Sequence, residues 1–143
     1  MSARSGIVKA LVEKLKLIDG NAPYNINMYQ NVSGTLIFWD QVQDFPFICV
    51  SAGSEQREYL PGGFKWGFLT LNIKVYVRDE DPIQVLEKAL ADIEYVIDNN
   101  QELQYAANRQ TEEVNITSIN TDEGLLAPLG IGDITLSVRY QVL

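Results

Sequence analysis

An α+β fold, with an antiparallel or mixed sheet and two main helices packed on one face, is what this sequence predicts from three observations. Leu69, Leu71, Ile73, Val75 and Val77 alternate with Phe68, Thr70, Asn72, Lys74, Tyr76 and Arg78, the two-residue period of a strand with one wholly apolar face. Ile134, Leu136, Val138, Tyr140 and Val142 repeat the pattern at the C-terminal end. Two stretches of three- and four-residue spacing, one at the start and one after residue 81, read as helices. The resulting order is α-β-β-β-β-α-β-β, with a long β-hairpin in the middle. At 143 residues the chain is expected to form a single domain.

In the first helix Ile7, Val8, Leu11, Val12, Leu15 and Ile18 return on one face, with Ser5 as the expected N-cap and Asp19-Gly20 as the stop. Residues 21–31 are rich in Asn and read as an irregular connection, although Tyr24, Ile26, Met28 and Tyr29 favour folding back on the core. Residues 32–40 and 45–52 suggest an antiparallel pair of strands. Residues 56–60 and 64–78 then form the arms of a hairpin turned by Pro61-Gly62-Gly63. Asp81 followed by Pro82 is a helix start, and Ile83, Leu86, Leu90, Ile93 and Ile97 form its apolar stripe, ending near Asp98-Asn99-Asn100. Beyond it, Leu103 and Tyr105 suggest a short strand, residues 114–120 a longer one, TDEG a turn, LLAPLGIG an apolar loop, and residues 134–142 the closing strand.

The composition argues against chemistry. There is no histidine, which removes the usual near-neutral acid/base, the commonest zinc ligand and every Ser-His or Cys-His pair. The single cysteine, Cys49, lies in the apolar run FPFICV and is expected to be a buried hydrophobe. A carboxylate-only site would have to draw on Asp79, Glu80 and Asp81 or on Asp122 and Glu123, for which helix capping and a solvated turn are the simpler readings. Gly130-Ile131-Gly132 precedes a strand, so it is no dinucleotide fingerprint, and no phosphate-binding GxxxxGK[ST] occurs. The expectation is a protein that is not an enzyme and uses no cofactor or metal. A net charge of −8 with scattered Lys and Arg speaks against gripping DNA, and no run is apolar enough to span a membrane. The chain is expected to be soluble and cytoplasmic when made.

What folding leaves unexplained is apolar surface at turns. Tyr59, Leu60, Phe64 and Trp66 surround Pro61-Gly62-Gly63, and Leu125, Leu126, Leu129 and Ile131 follow Asp122-Glu123. Patches of this kind either fold back on their own core or mark protein partners, so these thirteen residues are the candidate interface.

The stretches REYLPGGFKWGFLTLNIKVYVRDEDPIQVLEKALADIE and SINTDEGLLAPLGIGDITLSVRYQV resemble the tail terminator, or tail-completion, proteins of tailed bacteriophages. The shared features are a small acidic chain, an aromatic-rich hairpin, a long strand running into a D-P-started helix, and a TDEG-type turn before the closing strand. The resemblance spans roughly residues 30–143. It implies a homo-oligomeric ring, six-membered in that family, that caps the tail tube and ends its growth. It implies contacts with the tube protein, with the sheath in contractile tails, and with the neck or connector proteins of the head. DNA would pass through the lumen without specific binding, and the protein would sit at the head-proximal end of the virion tail after assembly in the host cytoplasm. Another neck or head-completion protein, or a non-viral protein-binding module, is the alternative reading.

Overall fold

The computed structural model describes residues 2–143, and its order of elements is the α+β arrangement expected. Helix α1 (Ala3–Leu15) is followed by β1 (Val32–Ser33), β2 (Phe47–Tyr59) and β3 (Lys65–Arg78); then come α2 (Pro82–Asp98), β4 (Gln104–Ala106), β5 (Arg109–Gln110), β6 (Glu113–Thr121) and β7 (Leu129–Val142). The main sheet has the order β1-β2-β3-β7-β6, and β4 with β5 makes a small separate ribbon. All pairs in the main sheet are antiparallel except β1 with β2.

The two long strands β3 and β7 pair along their whole length, from Lys65↔Val142 to Arg78↔Leu129. Their apolar faces, Leu69 to Val77 and Ile134 to Tyr140, are buried. Both helices cover that one face, α1 through Ile7, Leu11 and Leu15 and α2 through Leu86, Leu90, Ile93 and Ile97. Burying a side chain of this size contributes about 1.5–3 kcal/mol relative to exposure, so this layer is the main source of stability.

Local signals explain the boundaries. Helix α1 starts three residues earlier than the expected Ser5 cap, because Ser2 accepts the Ser5 N–H through Oγ. Asp81 caps α2 as expected, accepting the Gln84 N–H, with Pro82 in the first turn. The connection over residues 19–28 is pinned by Asp92, a buried carboxylate on α2. It accepts the Asn25 N–H at 2.9 and 3.0 Å, the Asn25 side-chain amide at 2.9 Å and the Ile26 N–H at 2.9 Å. Met28 is fully buried as a result, whereas Tyr29 points to solvent.

Two expectations are corrected. The proposed strand at residues 32–40 survives only as Val32–Ser33, and it pairs with β2 in parallel rather than antiparallel. Ser33 Oγ accepts the Thr35 N–H and turns the chain out of the strand. Residues 34–46 then wrap round the sheet edge: Gly34 sits against Val8 and Val12 on the helical side, and the Ile37 carbonyl accepts the Tyr76 hydroxyl at 2.7 Å on the other. Residues 45–52 and 56–60, read as separate segments, are one strand, with a β-bulge between Ala52 and Glu55 where the Gly53-Ser54 break was expected.

Candidate functional site

The candidate residues lie at opposite ends of the sheet. Strands β2 and β3 meet in the hairpin at one end, where Tyr59 pairs with Lys65 and the Leu60 N–H bonds the Phe64 carbonyl at 2.8 Å. Gly62 and Gly63 adopt φ of 82° and 78°, the left-handed conformation that a side chain resists. The β6–β7 turn lies at the other end, about 40 Å away along β3.

At the hairpin end the aromatics divide. Tyr59 is 71% exposed, with the Lys65 ammonium 5.7 Å from its ring centre. Leu60 is half-buried, and Pro61, Gly62 and Gly63 are exposed. Phe64 and Trp66 are half-buried and meet edge-to-face at 4.9 Å, while the Arg139 guanidinium lies 4.9 Å from the Trp66 ring. These two rings stand on the sheet face away from the helices, in a row with Phe68. They are therefore partly occupied by one another and by a cation.

The turn end is built on Asp122. Its carboxylate accepts the Ile131 N–H at 3.1 Å and the Leu126 N–H at 3.2 Å, which shapes the loop over residues 122–128. Glu123 is exposed at φ 58°, followed by Gly124 at 81°, and this turn rests on Ile83 of α2. Leu125 is 84% exposed and Leu126 is also exposed, whereas Leu129 is buried and Ile131 half-buried. The apolar loop is consequently shorter than expected, because β7 already begins at Leu129.

Asp79, Glu80 and Asp81 lie beside this turn, since the Asp79 N–H bonds the Pro128 carbonyl at 3.0 Å. Asp79 accepts the Asp81 N–H and Asp81 caps α2. These carboxylates shape backbone. Among the described residues no group of three or more His, Cys, Asp or Glu side chains is arranged to hold a metal ion. Cys49 is buried, its Sγ 3.6 Å from the Ile37 carbonyl, and burial pushes its thiol up.

Sequence reasoning missed a third exposed apolar group. Phe38 is 62% exposed and Trp39 50%, on the segment that crosses the sheet edge. A small recess joins Trp39 to Phe45, Arg78 and Leu129, so this segment belongs to the turn end. Reading residues 32–40 as a strand hid it, since alternation assigned half of those side chains to a core they do not enter.

Comparison with known proteins identifies a family and a shared fold. The family described as Bacteriophage Tail Tube Terminator Protein matches residues 1–143. The tail tube terminator protein p142 of Escherichia phage T5 is 40% identical over 153 aligned residues, covering 99% of this chain and 95% of that protein. A chain from the virion of a native gene transfer agent particle shares the fold, with a TM-score of 0.63 at 11% identity and 95% of both chains covered. The chain belongs to the bacteriophage tail tube terminator family.

Proposed function

We propose that this protein, acting as one folded unit, ends the growth of a phage tail tube by closing into a six-membered ring on its last layer. The observation that carries the reading is the match to a tail tube terminator over essentially the whole chain. The ring then offers no further site for a tube subunit, and its free face receives the connector of the filled head. Where the tail is contractile, the same ring holds the last layer of sheath. Its place is the head-proximal end of the virion tail, reached after assembly in the host cytoplasm.

The geometry supports the reading in one respect. A closed ring of identical subunits needs two different surfaces on each copy. The exposed apolar groups fall into such a pair, Tyr59 with the hairpin turn at one end and Phe38, Trp39, Leu125 and Leu126 at the other. The mechanism is steric and interfacial, without a chemical step. A net charge of −8 suits a lumen through which DNA slides.

Adding the purified protein to elongating tail tubes and measuring their lengths by electron microscopy tests the proposal. Shortened tubes carrying a terminal ring are expected. Tubes of undiminished length, with the protein remaining monomeric beside them, would refute it.

A further inference from the structure

The hairpin end holds a second feature, on the helix-covered side of the sheet. A recess of about 430 Å³ lies between the start of α1, β2, the β4–β5 ribbon and the end of β7. Arg4, Arg57 and Arg109 all line it, three of the five arginines in a chain of net charge −8.

The bulge in β2 makes this convergence possible. The extra residue between Ala52 and Glu55 turns Glu55 and Arg57 onto the helix side, opposite Leu69 and Gly67. Glu55 is 5% exposed in its side chain, accepts the Tyr140 hydroxyl at 2.7 Å and pairs with Arg57; Arg4 Nη1 stands 3.9 Å away. Arg4 also donates to the Gly53 carbonyl. Among the described residues Arg109 bonds only neutral acceptors, the Gln141 carbonyl at 2.7 Å and the Tyr105 hydroxyl at 3.3 Å. Glu55 therefore serves Arg57 and Arg4, the main-chain carboxylate of Leu143 lies at the recess without an ion pair to Arg109 among the described residues, and with three guanidinium groups against two carboxylates the recess keeps a net positive charge. Arginine forks in a concave site favour carboxylate or phosphate.

The complementary charge is on the same chain but out of its reach. Asp79, Glu80, Asp81 and Glu123 are exposed at the turn end, the full length of β3 away. Glu80 and Glu123 are acidic side chains with no hydrogen-bond or ion-pair partner among the described residues, so both are available to another molecule. We infer that the arginine recess receives the acidic turn end of a neighbouring copy of this chain, giving a head-to-tail contact in which Glu80 or Glu123 meets Arg109. Such a contact is heterologous and hands each copy one donor end and one acceptor end. A DNA phosphate is the weaker candidate, because the protein as a whole is strongly acidic.

The inference rests on the ring proposed above, and the test separates the two. Wild type, Arg109→Glu, and the double variant Glu80→Lys with Glu123→Lys are compared by light scattering and by electron microscopy of capped tubes. A circular-dichroism melt of each monitors folding. Each variant alone is expected to assemble at least tenfold more weakly, and mixing the two one to one is expected to restore rings through the swapped charges. The double variant changes exposed side chains only, so it keeps the test open if Arg109→Glu fails to fold. Rings from wild type and from both variants alike would overturn the inference while leaving the ring intact. Loss of assembly without rescue, together with Arg109-dependent binding of a short DNA duplex, would assign the recess to phosphate instead and overturn it too. A wild type that forms no ring on tubes refutes the ring and this contact together.

Discussion

The two ends of the sheet use similar residues for different work. At the hairpin, Phe64 and Trp66 meet edge-to-face with Arg139 over the Trp66 ring, and Gly62 and Gly63 turn the chain with no side chains to pack. At the β6–β7 turn, Asp122 fixes the backbone through two main-chain N–H groups and leaves Leu125 outside. One end spends Phe64 and Trp66 on each other and leaves Tyr59 outside, while the other is shaped by a polar residue and presents its leucines to solvent. An apolar residue beside a turn is thus no uniform sign of an interface. The informative question is whether the turn is held by apolar packing or by hydrogen bonds that free the apolar groups.

Each end is also fastened by a buried tyrosine, and raising the pH should loosen both. Tyr140 at the hairpin end donates to Glu55, and Tyr76 near the turn end donates to the Ile37 carbonyl. Burial pushes both phenols up from 10.0 to about 12, with the Glu55 carboxylate adding to the effect on Tyr140. The folded state therefore prefers the neutral phenol. Its stabilising effect is whole below pH 10, falls as pH rises from there, and is gone above about pH 12. On the order of 2 kcal/mol per tyrosine should be lost, the largest effect foreseen here. Denaturant melts from pH 8 to 12 measure it. Tyr140→Phe should remove the hairpin share and Tyr76→Phe the other, and a pH profile unchanged in both would contradict the assignment.

Replacing Asp122 by Ala should cost about 2 kcal/mol, since two main-chain N–H groups lose a charged acceptor. Hydrogen exchange at the Leu126 and Ile131 amides should rise, with the hairpin amides unchanged. Opening of both ends together would show that the turn is not an independent unit.

Much of this division was invisible in the sequence for physical reasons. Alternation in residues 65–78 and 134–142 is enforced by burial of one face, and the Asp81-Pro82 start by backbone geometry, so these elements were legible. The bulge at Gly53-Ser54 was not: a glycine with a serine reads as a chain break, and only the register with Leu69 and Leu71 shows the strand continuing. The parallel pairing of Val32 depends on where Asp92 ties the preceding connection, a contact between residues 66 and 67 positions apart. A carboxylate flanked by Ala89 and Val96 at helical spacing was the available signal for it. Arg4, Arg57 and Arg109 looked scattered because their convergence is a property of the sheet and not of the chain.

At the hairpin, Trp66→Ser should lower stability by about 1–2 kcal/mol through loss of the Phe64 and Arg139 contacts. Chemical denaturation of the monomer checks this, beside a tube-capping assay on the same preparation. Capping that falls further than the lost stability explains would make the ring an interface anchor as well as part of the fold. A melt unchanged from wild type would mean that the stack contributes nothing to the fold, and the contrast between the two ends would fail.

Leu125→Ser should give the smallest change in stability and the clearest change in assembly. With 84% of the residue already exposed, the folded chain loses almost no buried area, and the melt should move by less than about 0.5 kcal/mol. Its neighbour Leu126 bonds Asp122 through the main chain, so the turn keeps its shape when the Leu125 side chain changes. An apolar group held out by a polar scaffold has no use within the monomer, and its removal should therefore appear only when a second molecule is present. Capping efficiency measured against tube length at fixed protein concentration reads that effect directly. If capping is unaffected as well, the exposed leucine is neither core nor contact, and the partner-facing role of this end must rest on Phe38 and Trp39.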